Sequence, residues 1–207
     1  MATILRQWSY QYQWLYDAIA RLSAFAVGGE ARFRQLAFKG LSLDQNTQIL
    51  DLCCGAGQTT QFLLQYSHHV TGLDASPLAL ERAKKRAPEG NYVEGLAEEL
   101  PFATASFDLV QTSVALHEMT PEQLTQILEG VYRVLKPGGI FACIDLHQPH
   151  NRIFVPGLAL FMTLFETETA WQFVEINLPE KLSAIGFRDC QKTLYAGGSL
   201  QVIQAKK

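Results

Sequence analysis

The chain has few charged residues and no long apolar run, and both facts limit the classes of protein it can represent. Charged residues make up 18% of its 207 residues, and the formal net charge is -3. Because a nucleic-acid-binding face needs an excess of lysine and arginine, this composition disfavours a nucleic-acid partner. The longest apolar stretch, residues 153–165, has 13 residues, too few to cross a bilayer. Weak contact with a membrane surface is left open.

Cysteine is scarce, and its positions lack the spacing of a metal or redox site. The four cysteines are Cys53, Cys54, Cys143 and Cys190, and no C-x-x-C pattern joins them. Three of them lie in apolar, strand-like surroundings, where a free thiol packs as a small core residue. The first residues also lack the basic and apolar segments of a signal peptide. We therefore expect no bound metal, reduced thiols and a cytoplasmic location.

Strand patterns alternate with helix patterns through the middle of the chain. The predicted strands cover residues 48–53, 69–74, 91–94, 107–113 and 139–146. Between them, N-cap signals at Ser76 and Thr120 open two helices, and the apolar face of the second helix runs to Leu135. Two further strand patterns, residues 187–194 and 199–205, are separated by a short glycine-containing connection. The sequence predicts an α/β fold with a mostly parallel seven-stranded sheet, helices on both faces and a C-terminal antiparallel hairpin.

The predicted organisation is a single domain over residues 1–207. Residues 1–40 form an N-terminal helical cap, residues 41–146 form the core, and residues 147–207 form a lid and the hairpin. The cap contains an aromatic-rich amphipathic helix pattern over residues 8–22. This helix either docks on the core or covers a ligand pocket, and the apolar stretch 154–165 is likewise either a lid or an ordinary packing helix.

A candidate cofactor site follows the first two predicted strands. The first strand contains Asp51 and leads into a glycine turn that ends at Gly57, and the second strand ends at Asp74. Ligands of open α/β sheets bind at such strand ends, and Asp74 is placed to accept hydrogen bonds from ribose hydroxyls. A tight connection and a helix-dipole charge explain the same residues without a ligand. A dinucleotide fingerprint is disfavoured, since Thr60 stands where its third glycine is needed.

Five sequence runs together turn this pattern into a family resemblance. The runs are ILDLCCGAG at residues 49–57, GLDAS at 72–76, GLAEELPF at 95–102, SFDLV at 106–110 and RVLKPGG at 133–139. In this order they resemble the motifs of class I methyltransferases that depend on S-adenosylmethionine (SAM). The resemblance covers residues 48–146 and is highly specific for this superfamily. It implies a Rossmann-like fold, SAM as the cofactor and an enzyme that methylates a small-molecule substrate.

The resemblance also implies cofactor-binding roles for the matched positions. Asp51 orients the glycine loop and the amino group of SAM, while Gly55 and Gly57 pass beneath the methionine part. Asp74 binds the ribose. The remaining matched positions flank the adenine ring (Ala75 and Ala97) or the methionine part (Thr112 and Ser113).

The chain departs from the family pattern at two cofactor positions. Cys53 stands where the family usually has glycine, and Leu96 stands where it usually has an aspartate that accepts a bond from the adenine amino group. Leucine cannot accept that bond. Either Glu98 replaces the aspartate, or water does, or SAM binds more weakly.

Candidate acceptor-site residues lie after the fourth and fifth strands. His117 is the predicted catalytic base, because histidine titrates near neutral pH and a base is needed if the acceptor must lose a proton. Asp145 and His147 are predicted to line the substrate pocket, and Tyr16 and Phe161 to supply its apolar part. Each polar group is equally well explained as a solvated loop residue or a structural hydrogen-bond partner.

A finer resemblance concerns the acceptor. The pair at residues 16–17 (YD), the run LPEKL at 178–182, and the pairs at 186–187 (GF) and 197–198 (GG) are similar to the menaquinone and ubiquinone biosynthesis methyltransferases. This resemblance implies methyl transfer to a small, partly hydrophobic acceptor with a quinol-like ring. The alternative is a SAM-binding or degenerate homologue that acts through protein interaction. The oligomeric state is not indicated.

Overall fold

The computed structural model describes residues 27–149, 151, 153, 155–165 and 167–207. The helix predicted over residues 8–22, and with it Tyr16, lies outside the described residues. Seven strands are present in this part of the chain: β1 (Ile49–Leu52), β2 (Val70–Asp74), β3 (Asn91–Glu94), β4 (Phe107–Ser113), β5 (Leu135–Leu146), β6 (Arg188–Tyr195) and β7 (Leu200–Lys206). The helices are α1 (Glu30–Gln35), α2 (Thr60–Leu63), α3 (Pro77–Arg86), α4 (Pro121–Val134), α5 (Val155–Phe165), α6 (Glu168–Phe173) and α7 (Leu178–Ile185).

The strands form one sheet in the order β3-β2-β1-β4-β5-β7-β6. The first five are parallel, while β7 is antiparallel to both β5 and β6. This arrangement confirms the predicted α/β fold with its C-terminal antiparallel hairpin. The strand order reverses between β1 and β4, so a ligand crevice is expected above the carboxyl ends of these two strands.

Two apolar clusters cover the two faces of the sheet. One contains Phe33 and Leu36 of α1, which pack with Ile49 and Leu109 on the face that we call face A. The other joins α4 and α7 to the opposite face, face B, where the buried Leu50 and Val110 lie among the packed residues. Since side chains alternate along a strand, face A carries the odd-numbered residues of β1 and β4 and face B the even-numbered ones.

The predicted helix starts are confirmed by their caps. The Thr120 hydroxyl accepts a hydrogen bond from the Gln123 amide at 3.3 Å, and the Gln123 side chain accepts one from the Thr120 amide at 3.0 Å. The Ser76 hydroxyl accepts from the Ala79 amide at the start of α3. These side chains satisfy amides that have no partner within the helix.

The predicted end of α4 is wrong by one residue. Leu135 does not continue the helix: its backbone is extended, with φ -68° and ψ 139°, and it pairs with Phe107 as the first residue of β5. The reason lies two residues ahead, where Pro137 lacks an amide hydrogen and disfavours helical backbone at Lys136. Among the described helices, none combines the length and the apolar character needed to cross a bilayer.

Candidate active site

A cleft of about 460 Å³ opens above the carboxyl ends of β1, β2 and β4. Its volume falls within the range of small-molecule sites. The lining comes from α1, the loop after β1, the start of α3 and the segment after β4: Arg34, Asp51, Cys53, Cys54, Gly55, Ala56, Gln58, Thr59, Asp74, Ala75, Ser76, Leu78, Ala79, Arg82, Ser113, Val114, Ala115, Glu118 and Met119. The cleft therefore lies at the crevice that the strand order marks.

Asp74 is fixed by backbone amides on both sides of the cleft. Its Oδ2 accepts a hydrogen bond from the Gly55 amide at 2.8 Å, and its Oδ1 accepts one from the Ser76 amide at 2.9 Å. Each carboxylate oxygen keeps a further lone pair. These two bonds hold the glycine loop against the end of β2. Asp74 can still accept hydrogen bonds from the two hydroxyls of a ribose.

The two predicted glycines, Gly55 and Gly57, have different surroundings. Gly55 lines the cleft with a φ of 54°, and a Cβ there would meet its nearest neighbour, a side-chain oxygen, only at 3.6 Å. Gly57 lies outside the cleft lining, has a φ of 75°, and would place a Cβ 3.1 Å from the Cα of Ala83 in α3. Gly57 thus allows the loop to pack against a helix, and its place beneath the cofactor stays a prediction.

Asp51 is a buried carboxylate at the base of the cleft. It is 1% exposed, and its Oδ2 accepts a hydrogen bond from the Thr60 hydroxyl at 2.6 Å. Burial raises the pKa of Asp51 to about 7, although the Thr60 bond and the Arg34 charge oppose this change. A cationic group entering the cleft beside Asp51 would favour its ionised form. Thr60 stands where a dinucleotide fingerprint would need its third glycine. In this protein its hydroxyl holds the Asp51 carboxylate in place.

Two side-chain-bearing residues adopt left-handed backbone at the cleft. Cys53 follows β1 with a φ of 56°, and Val114 follows β4 with a φ of 55°. Both line the cleft, and their strands are neighbours in the sheet. Left-handed backbone costs an L-residue roughly 1–2 kcal/mol, and such strain collects at ligand sites. Burial raises the pKa of the Cys53 thiol, so this side chain is a neutral, weakly reactive part of the wall.

The segment predicted to flank adenine lies outside the cleft lining. Leu96 is 53% exposed, whereas Ala97 is buried in the apolar cluster on face B. The Glu98 Oε1 accepts a hydrogen bond from the Gln123 Nε2 at 2.6 Å. Leu78, which is 54% exposed, is an apolar residue of the cleft lining close to Asp74 in the chain. The adenine roles of these three positions stay predictions.

The two predicted positions at the end of β4 point to opposite faces. Ser113 lines the cleft, and its neighbour Thr112 is fully buried outside the lining. A role of Thr112 beside the methionine part would therefore be indirect.

His117 and Asp145 form a buried pair rather than two separate pocket residues. His117 lies in a short 3-10 helix (Leu116–Glu118), is 2% exposed, and its Nδ1 is 2.5 Å from the Asp145 Oδ1. The Asp145 Oδ2 accepts a hydrogen bond from the Leu116 amide at 2.8 Å. Asp145 is fully buried, lies outside the cleft lining and contacts His117, so its place in the substrate pocket stays a prediction. Glu118, the next residue, lines the cleft.

The other predicted pocket residues are not brought to this cleft by the described part of the chain. His147 lies in a second concavity of about 500 Å³ with Asn177 and Lys192, and its Nδ1 is 2.9 Å from the Gly198 carbonyl oxygen. Phe161 belongs to α5, but its side chain is outside what the structure describes. The described residues contain no group of three or more His, Cys, Asp or Glu side chains able to hold a metal ion.

Several cleft residues escaped the sequence analysis. Leu78, Ala79 and Arg82 have the three- and four-residue spacing of one helix face, which would have indicated a common surface beside Asp74. Arg34 had no such signal. It lies well before β1 in the chain, and only the packing of α1 on face A brings it to the cleft.

A glycine loop and a second-strand carboxylate that meet at the switch point of a parallel sheet define an α/β enzyme with a nucleoside-bearing cofactor. A family model described as "Methyltransferase domain" matches residues 49–139. An uncharacterized methyltransferase from Synechocystis is 59% identical over 206 residues, which is 100% of this chain and 97% of that protein. The chain belongs to the class I SAM-dependent methyltransferases.

More distant relatives agree with this assignment. A demethylmenaquinone methyltransferase from Lactiplantibacillus plantarum is 32% identical over 186 residues, covering 81% of this chain and 78% of that enzyme. A solved SAM-dependent methyltransferase from Thermotoga maritima superposes with a TM-score of 0.68 at 17% identity, covering 96% of this chain and 99% of that one. The latter similarity is one of fold. The chain is therefore an enzyme, with SAM as its methyl donor.

Proposed function

We propose that the enzyme transfers the methyl group of SAM to a ring carbon of a reduced quinone or a similar hydroxylated, partly apolar aromatic acceptor. The observation that carries this proposal is the buried His117–Asp145 pair: His117 lies outside the cleft lining, and its chain neighbour Glu118 lines the cleft. The 32% identity to a demethylmenaquinone methyltransferase supports an acceptor of this class. We place the reaction in the cytoplasm, with a small molecule as the partner.

The cleft residues fit the cofactor. Asp74 takes the ribose, Gly55 allows close approach of the backbone, and Asp51 faces the amino group. When bound, SAM supplies a methyl group on a sulfonium cation, so the transfer needs no further activation of the donor. The enzyme's remaining task is to orient the acceptor and to remove its proton.

Asp145 acts on the acceptor through His117. Its Oδ1 accepts a hydrogen bond from the Nδ1–H of His117, which makes Nε2 the basic nitrogen of the neutral ring. The bond also stabilises the imidazolium that forms when the ring takes up a proton. Asp145 is itself held by the Leu116 and Leu146 amides at 2.8 and 2.7 Å, so the pair is rigid.

Proton removal makes the acceptor carbon nucleophilic. His117 accepts the proton of a ring hydroxyl, and the resulting phenolate places electron density on the adjacent ring carbon. Bound SAM would supply its methyl group to this carbon, and the sulfonium sulfur would keep the electron pair of the bond that breaks. The methylated carbon then releases its own proton to solvent while the ring oxygen takes back the proton held by His117, so the ring becomes aromatic again and one proton is released in total.

The surroundings of His117 suit an apolar ring. The Phe173 ring lies edge-on to the imidazole, with centroids 6.5 Å apart. Val114 and Met119, which are close to His117 in the chain, supply apolar parts of the cleft wall. We further propose that residues 1–40, with Tyr16, form a cap and that residues 147–207, with Phe161, form a lid, so that together they enclose the acceptor above the core.

Methyl transfer to a defined quinol tests the proposal. The purified enzyme is incubated with SAM and a chemically reduced 2-prenyl-1,4-naphthoquinone that has no ring methyl, and the product is analysed by mass spectrometry. We expect a mass gain of one methylene on the ring. His117→Asn is expected to lower the rate at least 100-fold, since general-base catalysis contributes about 10²–10⁴-fold.

His69→Asn is the matched control, because His69 is exposed at the opposite end of the sheet. It should retain the wild-type rate. Product formation that is unaffected by His117→Asn would remove His117 from the mechanism. Absence of product with this quinol and with a reduced prenylated benzoquinone, in a protein that binds S-adenosylhomocysteine, would contradict the acceptor class.

A further inference from the structure

A strip of polar side chains crosses face A of the sheet beneath the cleft. Asp51 on β1 is directly opposite Gln111 on β4, and Ser113 follows two residues along β4. Residues that pair in neighbouring parallel strands point to the same face, as do residues two apart. Arg34 of α1 lies over this face and interacts electrostatically with Asp51. Three of the four residues line the cleft, and Gln111 lies beside Asp51.

This strip concentrates buried polar atoms that lack hydrogen bonds. Within the described residues, such atoms are Gln111 Nε2 and Oε1, Ser113 Oγ, Arg34 Nε, Thr112 Oγ1 and Gln201 Oε1. The first four belong to the strip. Gln111 is fully buried and Arg34 is 6% exposed. The Glu30 Oε1 lies 3.9 Å from the Arg34 Nε, which is beyond hydrogen-bond distance.

Unpartnered buried polar groups are uncommon in native proteins, and each is costly unless a ligand or water satisfies it. The strip offers a guanidinium and a carboxamide N–H as donors, and a carboxylate and a carboxamide oxygen as acceptors. A ligand that satisfies all of them must carry a cation and an anion close together. The α-amino acid end of SAM has this character, with an ammonium and a carboxylate on one carbon.

We propose that Arg34 and Gln111 complete, with Asp51 and Ser113, the pocket for the amino acid end of the cofactor. Arg34 pairs with the carboxylate, Asp51 pairs with the ammonium, and the Gln111 carboxamide bridges the two groups. Arg34 and Gln111 then determine selectivity for a cofactor that carries this end. The inference depends on the cofactor and not on the identity of the acceptor.

A pair of cofactor analogues separates this role from a general effect on the cleft. S-adenosylhomocysteine has the amino acid end, whereas 5′-methylthioadenosine has the same nucleoside and thioether but lacks it. Calorimetry with Arg34→Met and with Gln111→Met is expected to show at least ten-fold weaker binding of S-adenosylhomocysteine. Binding of methylthioadenosine should change less than two-fold.

Matched substitutions provide the controls. Arg32→Met alters an exposed arginine of the same helix, and Gln201→Met alters a buried glutamine of β7 on face B. Both variants should keep the wild-type ratio of the affinity for S-adenosylhomocysteine to the affinity for methylthioadenosine. If a methionine variant does not fold, Arg34→Lys and Gln111→Asn replace it and should still lower the ratio.

The proposal is overturned by either of two results. One is an equal loss of affinity for both analogues, which would mean that the residues only shape the cleft. The other is an unchanged affinity for S-adenosylhomocysteine in the Arg34 and Gln111 variants. Neither result bears on methyl transfer to quinols, so a failure here is distinguishable from a failure of the proposed acceptor.

Discussion

Some residues of this enzyme are unfavourable for folding but favourable for cofactor binding. Asp51 is the clearest case, because a buried carboxylate is unfavourable for the folded state yet suited to receive a cation. Burial raises its pKa to about 7, Asp74 adds to this, and Arg34 and Thr60 oppose it. In the cofactor-free protein, the ionised form is therefore less favourable than in the unfolded chain.

The effect on stability follows from the sign of this change. Between about pH 4 and pH 7 the folded protein keeps on Asp51 a proton that the unfolded chain has lost. The contribution of Asp51 to the free energy of unfolding thus falls as the pH rises through this window. Between pH 5.5 and pH 8 the loss amounts to about 2 kcal/mol.

We predict that Asp51→Asn removes this part of the pH dependence. Urea unfolding of the cofactor-free protein at pH 5.5 and pH 8 measures it, with the wild type losing about 2 kcal/mol more than the variant on going to pH 8. An equal pH dependence in both proteins would show that Asp51 titrates as in an exposed site. Asp44, an exposed carboxyl whose pKa is lowered, provides the control variant Asp44→Asn.

At the scale of elements, the glycine loop must meet both a cofactor and a helix. Gly55 faces the cleft, and Gly57 faces Ala83 of α3. The motif joins them in one run of sequence, but the requirement for glycine differs. At Gly55 it comes from the positive φ, while at Gly57 it comes from the positive φ together with the close approach of the helix.

We predict that the two glycines respond differently to alanine. Gly57→Ala should lower the free energy of unfolding by about 2–5 kcal/mol, since strain at positive φ costs roughly 1–2 kcal/mol and overpacking roughly 1–3 kcal/mol. Gly55→Ala should lower it by only about 1–2 kcal/mol. Thermal and urea unfolding of both variants measure this difference. Equal losses would mean that α3 moves away from the loop without cost.

At the scale of the whole molecule, β7 joins parts of the chain that are far apart in sequence. The Gln204 side chain donates hydrogen bonds to the carbonyls of Ala37 and Lys39, more than 160 residues away. The Lys207 ammonium donates to the carbonyls of Tyr132 and Leu135 at 2.6 and 2.8 Å, and it lies 4.7 Å from the Tyr132 ring centroid. These bonds satisfy carbonyls at the end of α4 that have no partner within the helix.

We predict that Lys207→Met lowers the free energy of unfolding by about 1–2 kcal/mol, because a cation at a helix end contributes up to that much in a partly buried site. Lys206→Met, at the exposed neighbouring position, should change it by less than about 0.5 kcal/mol. Urea unfolding at low and high salt measures both. Similar values for the two variants would mean that the bonds to α4 contribute no net stability.

The five parallel strands, the C-terminal hairpin and the two capped helices could be predicted from the sequence. The bounds of β3 and β4, the caps of α3 and α4 and the class of cofactor were all readable, because each depends on residues that are close in the chain. Periodicity reports which face is buried, and cap residues act within three positions of each other. The start of β5 was predicted at residue 139 and not at Leu135, because the apolar helix pattern of α4 continues to Leu135.

Tertiary structure alone decided which side chains share the site. The pairing of β4 with β5 brings Asp145 behind His117, and the pairing of β1 with β4 places Gln111 beside Asp51. The packing of α1 on face A brings Arg34 to the same place. These contacts depend on strand order, register and helix docking, which arise from burial across the whole sheet and leave no spacing pattern in the sequence. Residues that are close in the chain thus indicate the cofactor, whereas contacts between distant residues form its pocket.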